Sequence, residues 1–528
     1  MPQLVVYRRA RVALSVTLIA ATFTVTGQEP VSPSPDTYRL VVREAGLPGI
    51  DRGLRDQDAM REPEQSSLLD SATVDGVSRL SAGESSLRGS VIVKFRDSAG
   101  PSAVSSTMSA VGATDLSRPS WADFELLAVP MARDPEEVAA ELRARPDVEY
   151  AQPRYVNHAM FRPNDQFFDR QWNLTSLDME RAWDIQPGAS SSIIVAVLDS
   201  GIAFRNVTLR YQARPFQFEA GGPIFPSLGI VDVPFAIAPE LGDASRFVSP
   251  RDFIWNDEVP VDLDGHGTHV AGTVGQLTNN AVGVAGMAFN VRLMPVKVIH
   301  ETWDVVFGSP NAGTDDVVAR GIRYAADSGA RVINMSFGRT AGGPAPAIED
   351  AVRYAVSLGA FVAVAAGNSR ETGNQPSRTA EAAPRIDGMV AVGAVGRDLS
   401  AAFYSTSNAY VELAAPGGDA RRFGTEGGVL QQTLDLDLLE TYMQGPARLT
   451  APRADSFAIV PFQGTSMATP HVSGFAALLM QQGITSPAAI EAAMKQFATD
   501  KGPTGRDDEY GHGLINPRAT LRGLGLAR

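Results

Sequence analysis

The sequence predicts an α/β fold in which a mostly parallel sheet carries helices on both faces and follows a small α+β domain. One observation is the alternation of short apolar runs with helix-like segments over roughly the last two-thirds of the chain. Such alternation favours parallel strands joined by right-handed crossovers. A second observation is that two apolar runs end in polar residues, Asp199 and Asn368. Because functional groups gather at the carboxyl ends of parallel strands, this edge of the sheet is the expected functional edge.

The strands of the sheet are predicted from apolar runs that are too short for helices. They are Ile193–Leu198, Val291–Ile299, Arg331–Met335, Phe361–Ala365 and Met389–Ala394. A helix is predicted over Thr314–Ser328, with Thr314 as its cap. Its apolar residues Val318, Ile322 and Ala325 share one face, which is expected to pack on the sheet.

Residues 89–160 are predicted to form the small α+β domain. Val91–Phe95 and Phe124–Val129 have the composition of strands. A helix start lies at Asp134 and Pro135, since an Asp can cap a helix and Pro suits its first position. This order of elements suits a split β-α-β arrangement.

Four polar residues are suited to nucleophilic catalysis. Asp199 ends an apolar strand, and His266 lies in a run of small residues. Ser466 follows a Gly-Thr turn and precedes an apolar helical run. A serine hydroxyl needs a base to remove its proton and a donor to stabilise the oxyanion. The side-chain amide of Asn368 can be that donor.

Each of these residues also has a structural explanation. His266 and His269 have the spacing of a metal pair on a helix, but no third ligand follows at a zinc spacing. A packed helix residue is therefore the preferred interpretation of His269. Asn368 is typical of a turn, and Ser466 could cap a helix. The catalytic interpretation is preferred because the motifs occur together.

The motifs, in the order Asp, His, Ser, resemble those of the subtilisin-like serine proteases, the subtilases. The resemblance implies that Asp199, His266 and Ser466 are catalytic and that Asn368 stabilises the oxyanion. It implies no cofactor and no catalytic metal. The resemblance also implies which residues form the walls of the first specificity pocket. These residues are small, so we expect an open, apolar pocket that prefers bulky apolar side chains of the substrate. The implied substrate-binding residues are Ser336, Phe337 and Gly338 on one side of the pocket and Ala365, Ala366 and Gly367 on the other.

The resemblance extends, more weakly, to the small domain. Residues 89–160 resemble the inhibitory propeptide of subtilases, and residues 161–528 resemble the catalytic domain, which closes near Tyr510–Pro517. In this family the propeptide assists folding and then lies in the cleft as an intramolecular inhibitor until it is cut. We expect the cut between Tyr155 and Pro163.

The composition excludes several functions. The net charge of −13 argues against a nucleic-acid partner. The absence of cysteine excludes disulfides, a thiol nucleophile and Cys-ligated zinc. Arg8, Arg9 and Arg11 precede an apolar stretch from Val12 to Val25, the pattern of a secretory signal peptide over residues 1–27. The polar residues 28–88 are predicted to be a disordered pro-segment or linker.

The amino-terminal apolar stretch is too short and too polar for a stable membrane anchor. We therefore expect a secreted serine endopeptidase, extracellular or periplasmic, that is made as a zymogen. It is expected to be a monomer that acts on protein or peptide substrates. Two alternatives stay open: a processing protease with one dedicated partner substrate, and an inactive binding protein on a protease fold.

Two insertions and an acidic cluster depart from a compact subtilase. Residues 203–250 and 417–460 could border the cleft and narrow the substrate range, or could be tolerated decoration. The acidic cluster resembles a stretch that binds calcium in some subtilases, and a solvated acidic loop is the alternative. Its members are Asp252, Asp257, Glu258, Asp262 and Asp264.

Overall fold

The computed structural model describes residues 86–155, 161–218 and 221–523, and two short strands before them. Those strands, β1 (Thr73–Val74) and β2 (Val77–Ser78), form an antiparallel pair. The predicted signal peptide and most of the predicted linker lie outside the described residues. Within the described part of the chain, we find no helix with the length and apolar character of a membrane span.

The small amino-terminal domain is a four-stranded antiparallel sheet with two helices. Its elements are β3 (Ser86–Phe95), α1 (Pro101–Ala110), β4 (Asp115–Ser117), β5 (Glu125–Ala128), α2 (Pro135–Arg143) and β6 (Val148–Tyr155). The strand order is β4-β5-β3-β6. Helix α2 begins as predicted, because Asp134 accepts a hydrogen bond of 2.8 Å from the N–H of Glu136. Apolar residues of both layers, including Val91, Leu127 and Val138, form a core of their own.

The large domain is built on one seven-stranded sheet in which every strand is parallel to its neighbours. The order is β10-β11-β7-β12-β13-β14-β15. The predicted α/β class is therefore confirmed. The strands are β7 (Ile194–Asp199), β10 (Arg251–Asp252), β11 (Arg292–Lys297), β12 (Val332–Met335), β13 (Phe361–Ala365), β14 (Met389–Val395) and β15 (Leu413–Pro416).

The α-helices of the large domain are α3 (Trp172–Thr175), α4 (Met179–Ile185), α5 (His266–Gly275), α6 (Thr302–Phe307), α7 (Asp315–Asp327), α8 (Pro346–Ser357), α9 (Ala420–Phe423), α10 (Leu436–Leu439), α11 (Thr465–Gln481), α12 (Pro487–Gln496) and α13 (Pro517–Gly523). Helices α5 and α11 lie on one face of this sheet and α7 and α8 on the other, and further helices surround them. Side chains of β7 alternate between the faces. Val195 and Val197 enter the core that contains α5 and α11, whereas Ala196 and Leu198 enter the core beneath α7 and α8.

One detail of the predicted helix over Thr314–Ser328 is wrong. The helix itself forms as α7, but the side chain of Thr314 makes no capping hydrogen bond. Its hydroxyl instead lies 2.6 Å from Oδ1 of Asp316. This acidic side chain in the first turn competes for the hydroxyl that would cap the backbone.

The two insertions pack together. The first contains an antiparallel hairpin, β8 (Val207–Ala213) with β9 (Gly229–Phe235), and the second contains β16 (Val429–Leu434) with β17 (Phe457–Phe462). The backbones meet where Ala236 donates to the carbonyl of Ala454. The side chains of Phe218 and Tyr442 also meet, with ring centroids 5.4 Å apart. The insertions therefore form one structural layer rather than two separate loops.

Candidate active site

Asp199 is the last residue of strand β7 at the functional edge of the sheet. Its side chain is 2% exposed. Oδ1 accepts hydrogen bonds from the N–H of Ser200 at 2.8 Å and from His266 Nδ1 at 2.7 Å. Because a carboxylate can only accept, the imidazole carries its proton on Nδ1 and leaves Nε2 as the basic nitrogen.

His266 is the first residue of helix α5, and the close approach of this helix to β7 requires a glycine. A Cβ atom added to Gly267 would lie 3.1 Å from Cβ of Asp199 and would overlap the carbonyl oxygen of Gly201. Any larger residue would push the helix away from the strand. The small residues around His266 therefore bring the imidazole within hydrogen-bond distance of Asp199.

The buried carboxylate of Asp262 holds the loop that leads into α5. Oδ1 accepts from the N–H groups of Asp264 and Gly265 and from the hydroxyl of Ser200. Oδ2 accepts from the N–H and the hydroxyl of Thr268. Burial raises the pKa of this carboxyl group, and the charge of Asp264 raises it further. Asp262 thus satisfies N–H groups at a helix start that otherwise have no partner.

A buried ion pair lies behind the same loop. Lys297, at the end of β11 beside Asp199, is fully buried and lies 3.0 Å from the buried Asp304. Its ammonium group also donates to the carbonyl of Val261, the neighbour of Asp262. Burial opposes the charge, but Asp304 and Asp252 together raise the pKa of Lys297 above its usual value.

Ser466 is the second residue of helix α11, which packs directly against α5. Its N–H lies in the first turn, where helix N–H groups have no partner within the helix. Pro470 lies inside this helix. Since Pro470 has no N–H, the carbonyl of Ser466 has no helical partner. The hydroxyl of Ser336 donates to that carbonyl at 2.8 Å.

Asn368 lies beside the start of α11, and its side chain has a fixed orientation. Oδ1 accepts from both the N–H and the hydroxyl of Thr465, each at 2.9 Å. Nδ2 is therefore the end that remains to donate. An atom placed at the Cβ position of Gly464 would lie 3.5 Å from Asn368 Nδ2 and 3.6 Å from the N of Ser466. The side-chain amide of Asn368 and the backbone N–H of Ser466 therefore lie close to the same point.

The structure brings the six predicted substrate-binding residues to the same edge of the sheet, after β12 and at the end of β13. They do not all present side chains to a substrate. Ser336 is buried and uses its hydroxyl on Ser466, and Ala365 and Ala366 are buried. The exposed backbone of this region lies at Gly338 and Asn368.

His269 is fully buried, and its side chain contacts the second insertion. Its Nε2 lies 3.1 Å from the carbonyl of Val429 and 3.0 Å from that of Val460. Its ring stacks on Phe462 at 4.4 Å. These contacts join helix α5 to the second insertion.

The acidic cluster before His266 does not have the arrangement of a calcium site. Asp252 accepts from the N–H groups of Ile254 and Trp255, and Asp264 accepts from that of His266. Asp262 is occupied as described above. Among the described residues, no three or more His, Cys, Asp or Glu side chains are grouped as a metal site would require. Asp252, Asp262 and Asp264 thus each accept hydrogen bonds from backbone N–H groups of nearby turns.

Two other carboxylates are better placed to accept a cation. Asp165 and Glu240 are 5% and 4% exposed, and Oδ1 of Asp165 has no hydrogen-bond partner among the described residues. Burial raises the pKa of both groups, and Asp165 raises that of Glu240 further. The neighbouring loop holds Asn279 and Ala281 at φ of 63° and 64°, an unfavourable conformation for alanine. Two adjacent buried carboxylates without Lys or Arg partners in the described chain favour a bound cation.

Sequence reasoning missed the roles of Asp262, Thr465 and Pro470. The signal for Asp262 was present, since an Asp just before a helix that starts in Gly-His-Gly-Thr is typical of a capping turn. The roles of Thr465 and Pro470 depend on strands far away in sequence. No local pattern indicates them.

Comparison with known proteins agrees with this geometry. A profile described as Subtilase family matches residues 190–513, and one described as Fervidolysin N-terminal prodomain matches residues 72–154. The Thermophilic serine proteinase of Bacillus sp. (strain AK1) is 32% identical over 429 residues, which are 80% of this chain and 86% of the relative. Thermitase of Thermoactinomyces vulgaris is 30% identical over 347 residues, 65% of this chain and 94% of the relative.

A solved structure is also similar. This structure, of proteases from Pseudoalteromonas arctica, is 27% identical in sequence and has a TM-score of 0.49. The similarity covers 68% of this chain and 99% of that chain.

Proposed function

The chain belongs to the subtilase family of serine endopeptidases and carries a prodomain, and we propose that Asp199, His266 and Ser466 perform the hydrolysis. Ser466 attacks the carbonyl of the scissile peptide bond while His266 Nε2 accepts its proton. His266 then donates this proton to the leaving amine, and water hydrolyses the acyl-enzyme. The 2.7 Å hydrogen bond between Asp199 and His266 Nδ1 carries the proposal, because it fixes the tautomer that this chemistry needs.

Asn368 and the backbone N–H of Ser466 are proposed to stabilise the oxyanion. Thr465 holds the Asn368 carbonyl, so that Nδ2 is presented without a rearrangement. The N–H of Ser466 lies at the positive end of α11. Donors that are already oriented stabilise developing charge with little reorganisation.

The remaining proposals concern the maturation, the localisation and the active form of the protein. Residues 89–160 are proposed to act as an intramolecular inhibitor that is removed by a cut between Tyr155 and Pro163. The signal-like pattern in residues 1–27 supports secretion to the extracellular space or periplasm. Catalysis is proposed to need no cofactor and the active form to be a monomer that acts on protein or peptide substrates.

A structural calcium ion is proposed at Asp165 and Glu240. Calcium takes several oxygen ligands from carboxylates and loop carbonyls. The unpartnered Oδ1 of Asp165 and the adjacent loop at Asn279–Gly283 offer such oxygens. A bound cation would offset the burial of the two carboxylates, so its role is stability and not catalysis.

The catalytic assignment is tested by labelling the mature protein with a fluorophosphonate, which reacts with an activated serine. We expect labelling of wild type and none of Ser466→Ala, together with loss of casein hydrolysis. Ser357→Ala, which removes an exposed serine at the end of α8, is the control and should be labelled like wild type. Labelling that persists in Ser466→Ala would overturn the assignment, and no labelling of wild type would favour an inactive binding protein.

A second candidate is a processing protease with one dedicated substrate. The packed insertions favour it, since Thr433 of the second insertion donates to the carbonyl of Gly265, directly before His266. The layer also exposes large apolar side chains, including Ile224, Ile230 and Met443. Digestion of casein and of a random peptide pool separates the candidates, because a dedicated enzyme would leave both largely intact.

A further inference from the structure

Three carboxylates lie on or directly before helix α4, and two of them have a cation as partner. Asp178 lies 3.0 Å from the guanidinium of Arg518. Glu180 lies 2.7 Å from that of Arg162. Asp184 has no Lys or Arg within ion-pair distance among the described residues. It lies in the last turn of the helix, where a carboxylate is unfavourable and a nearby cation is favourable.

The group that lies against Asp184 is the backbone N–H of Phe161. This N–H donates to Oδ1 of Asp184 at 2.6 Å. As part of a peptide bond it is neutral and leaves the charge of the carboxylate uncompensated. A free α-amino group at the same position would be mostly protonated at pH 7, because its usual pKa is about 7.7–8.0. The missing cation would therefore be supplied by a chain that begins at Phe161.

The side chain of Phe161 anchors this residue on the large domain. Its ring centroid lies 5.8 Å from that of Trp183, edge to face, and 5.8 Å from that of Phe289, stacked. The next residue is also held, since the guanidinium of Arg162 lies 5.7 Å from the ring centroid of Phe168. From Phe161 onward, the chain is thus attached to the large domain by its own side chains.

The sequence before Phe161 agrees with a cut at this point. The preceding residue is Met160, which lies outside the described residues. Its bulky apolar side chain matches the preference expected for the first specificity pocket. A cut one bond later would remove Phe161 from the aromatic cluster. A cut directly after Tyr155 would leave residues 156–160 on the mature chain and a neutral amide against Asp184.

We propose that maturation cuts the bond between Met160 and Phe161 and that Asp184 binds the new α-ammonium group. The proposal rests on the proposed function of Ser466, which supplies the hydrolysis. Water adds across the peptide bond, so that a carboxylate stays on the prodomain and the released amine takes up a proton. The resulting ion pair anchors the first residues of the mature chain, which lead to the buried Asp165.

The first measurement is the intact mass and amino-terminal sequence of the mature wild type. We expect Phe161 as the first residue, and any other first residue would overturn the proposal. A wild type that keeps its prodomain would overturn it as well. Ser466→Ala is expected to keep the prodomain. If Ser466→Ala matures by itself to Phe161, the proposed function of Ser466 is refuted, while the binding of the new terminus is decided by the second measurement.

The second measurement is the pH dependence of acetylation of the Phe161 α-amine by acetic anhydride, followed by mass spectrometry on mature protein inactivated with a fluorophosphonate. The neighbouring carboxylate keeps the amine protonated. The midpoint of the rate against pH should therefore be higher in wild type than in Asp184→Asn by about 0.5 pH unit, the effect of an exposed ion pair.

Asp350→Asn removes an exposed carboxylate of α8 and is the matched control for the change in net charge. Its acetylation curve should coincide with that of wild type. Coincident curves for wild type and Asp184→Asn would overturn the proposal, and so would an equal displacement in Asp350→Asn and Asp184→Asn.

Discussion

The small amino-terminal domain and the large sheet domain differ in where they keep their charged side chains. In the small domain, ion pairs such as Lys94 with Asp123 lie at the surface, and no pair among residues 86–155 has both side chains buried. In the large domain, Lys297 and Asp304 are both fully buried. Exposed pairs contribute little to stability, whereas breaking a buried pair is costly.

The difference shows that the fully buried ion pair of the large domain lies beside the candidate site. Lys297 lies next to strand β7 and donates to the loop that Asp262 holds. The small domain has an apolar core, and none of the ion pairs found among residues 86–155 is buried on both sides. It can therefore fold around its own core, while the large domain combines an apolar core with internal polar contacts that position the imidazole.

The largest expected effect on stability comes from the loss of the buried ammonium group. Lys297→Met leaves Asp304 and Asp252 buried without their cation, and we expect the free energy of unfolding to fall by about 3–5 kcal/mol. Urea unfolding in a Ser466→Ala background, which removes self-digestion, measures it. Lys94→Met is the matched control in the small domain and should leave the midpoint unchanged. Equal effects of the two variants on the unfolding free energy would contradict the difference between buried and exposed ion pairs.

The second prediction concerns the stability of the protein at acidic pH. Burial lowers the pKa of His471 to about 4. The group is neutral in the folded protein but becomes charged in the unfolded chain below its usual pKa. Its contribution to stability is therefore full above about pH 6.5 and is lost as the pH falls towards 4, by about 3 kcal/mol.

The measurement for His471 is the difference in unfolding free energy between wild type and His471→Gln from pH 7 to pH 4. Burial raises the pKa of Asp252 and of Glu412 to about 7, so these groups act in the opposite direction over the same range. They titrate in both proteins and cancel in the difference. The small domain has no histidine in residues 86–155. Its protection from hydrogen exchange should therefore not show the pH dependence that His471 causes. A difference that is constant with pH would contradict the prediction.

The smallest expected effect is that of calcium removal. With calcium at about 100 times its dissociation constant, a chelator should cost about 2.7 kcal/mol and lower the unfolding midpoint of the large domain alone. Glu240→Gln should abolish the difference between calcium and chelator. Glu258→Gln, from the exposed part of the acidic cluster, should preserve it. A chelator effect that survives in Glu240→Gln would place the ion elsewhere.

Much of the fold was predictable because strand and helix signals are local. Phe361–Ala365 forms β13 as predicted, and the predicted strand Val291–Ile299 forms as the shorter β11. The hairpin of the first insertion was not predicted although a signal was present, since residues Val207–Ala213 alternate apolar and polar side chains. The packing of the two insertions joins residues more than 200 positions apart, and no pattern in either segment indicates the partner.

The sequence by itself determined which residues are the candidates for catalysis: an aspartate after an apolar strand, a histidine among glycines, a serine before a helix and an asparagine after another strand. Each of these patterns lies within a few neighbouring residues and can therefore be read from the sequence. Only the tertiary structure decided their orientation. Oδ1 of Asp199 meets Nδ1 of His266 because a glycine lets helix and strand approach. Asn368 keeps its orientation because Thr465, on a helix much further along the chain, donates to its Oδ1. Such contacts depend on distances between segments, which one linear pattern does not contain.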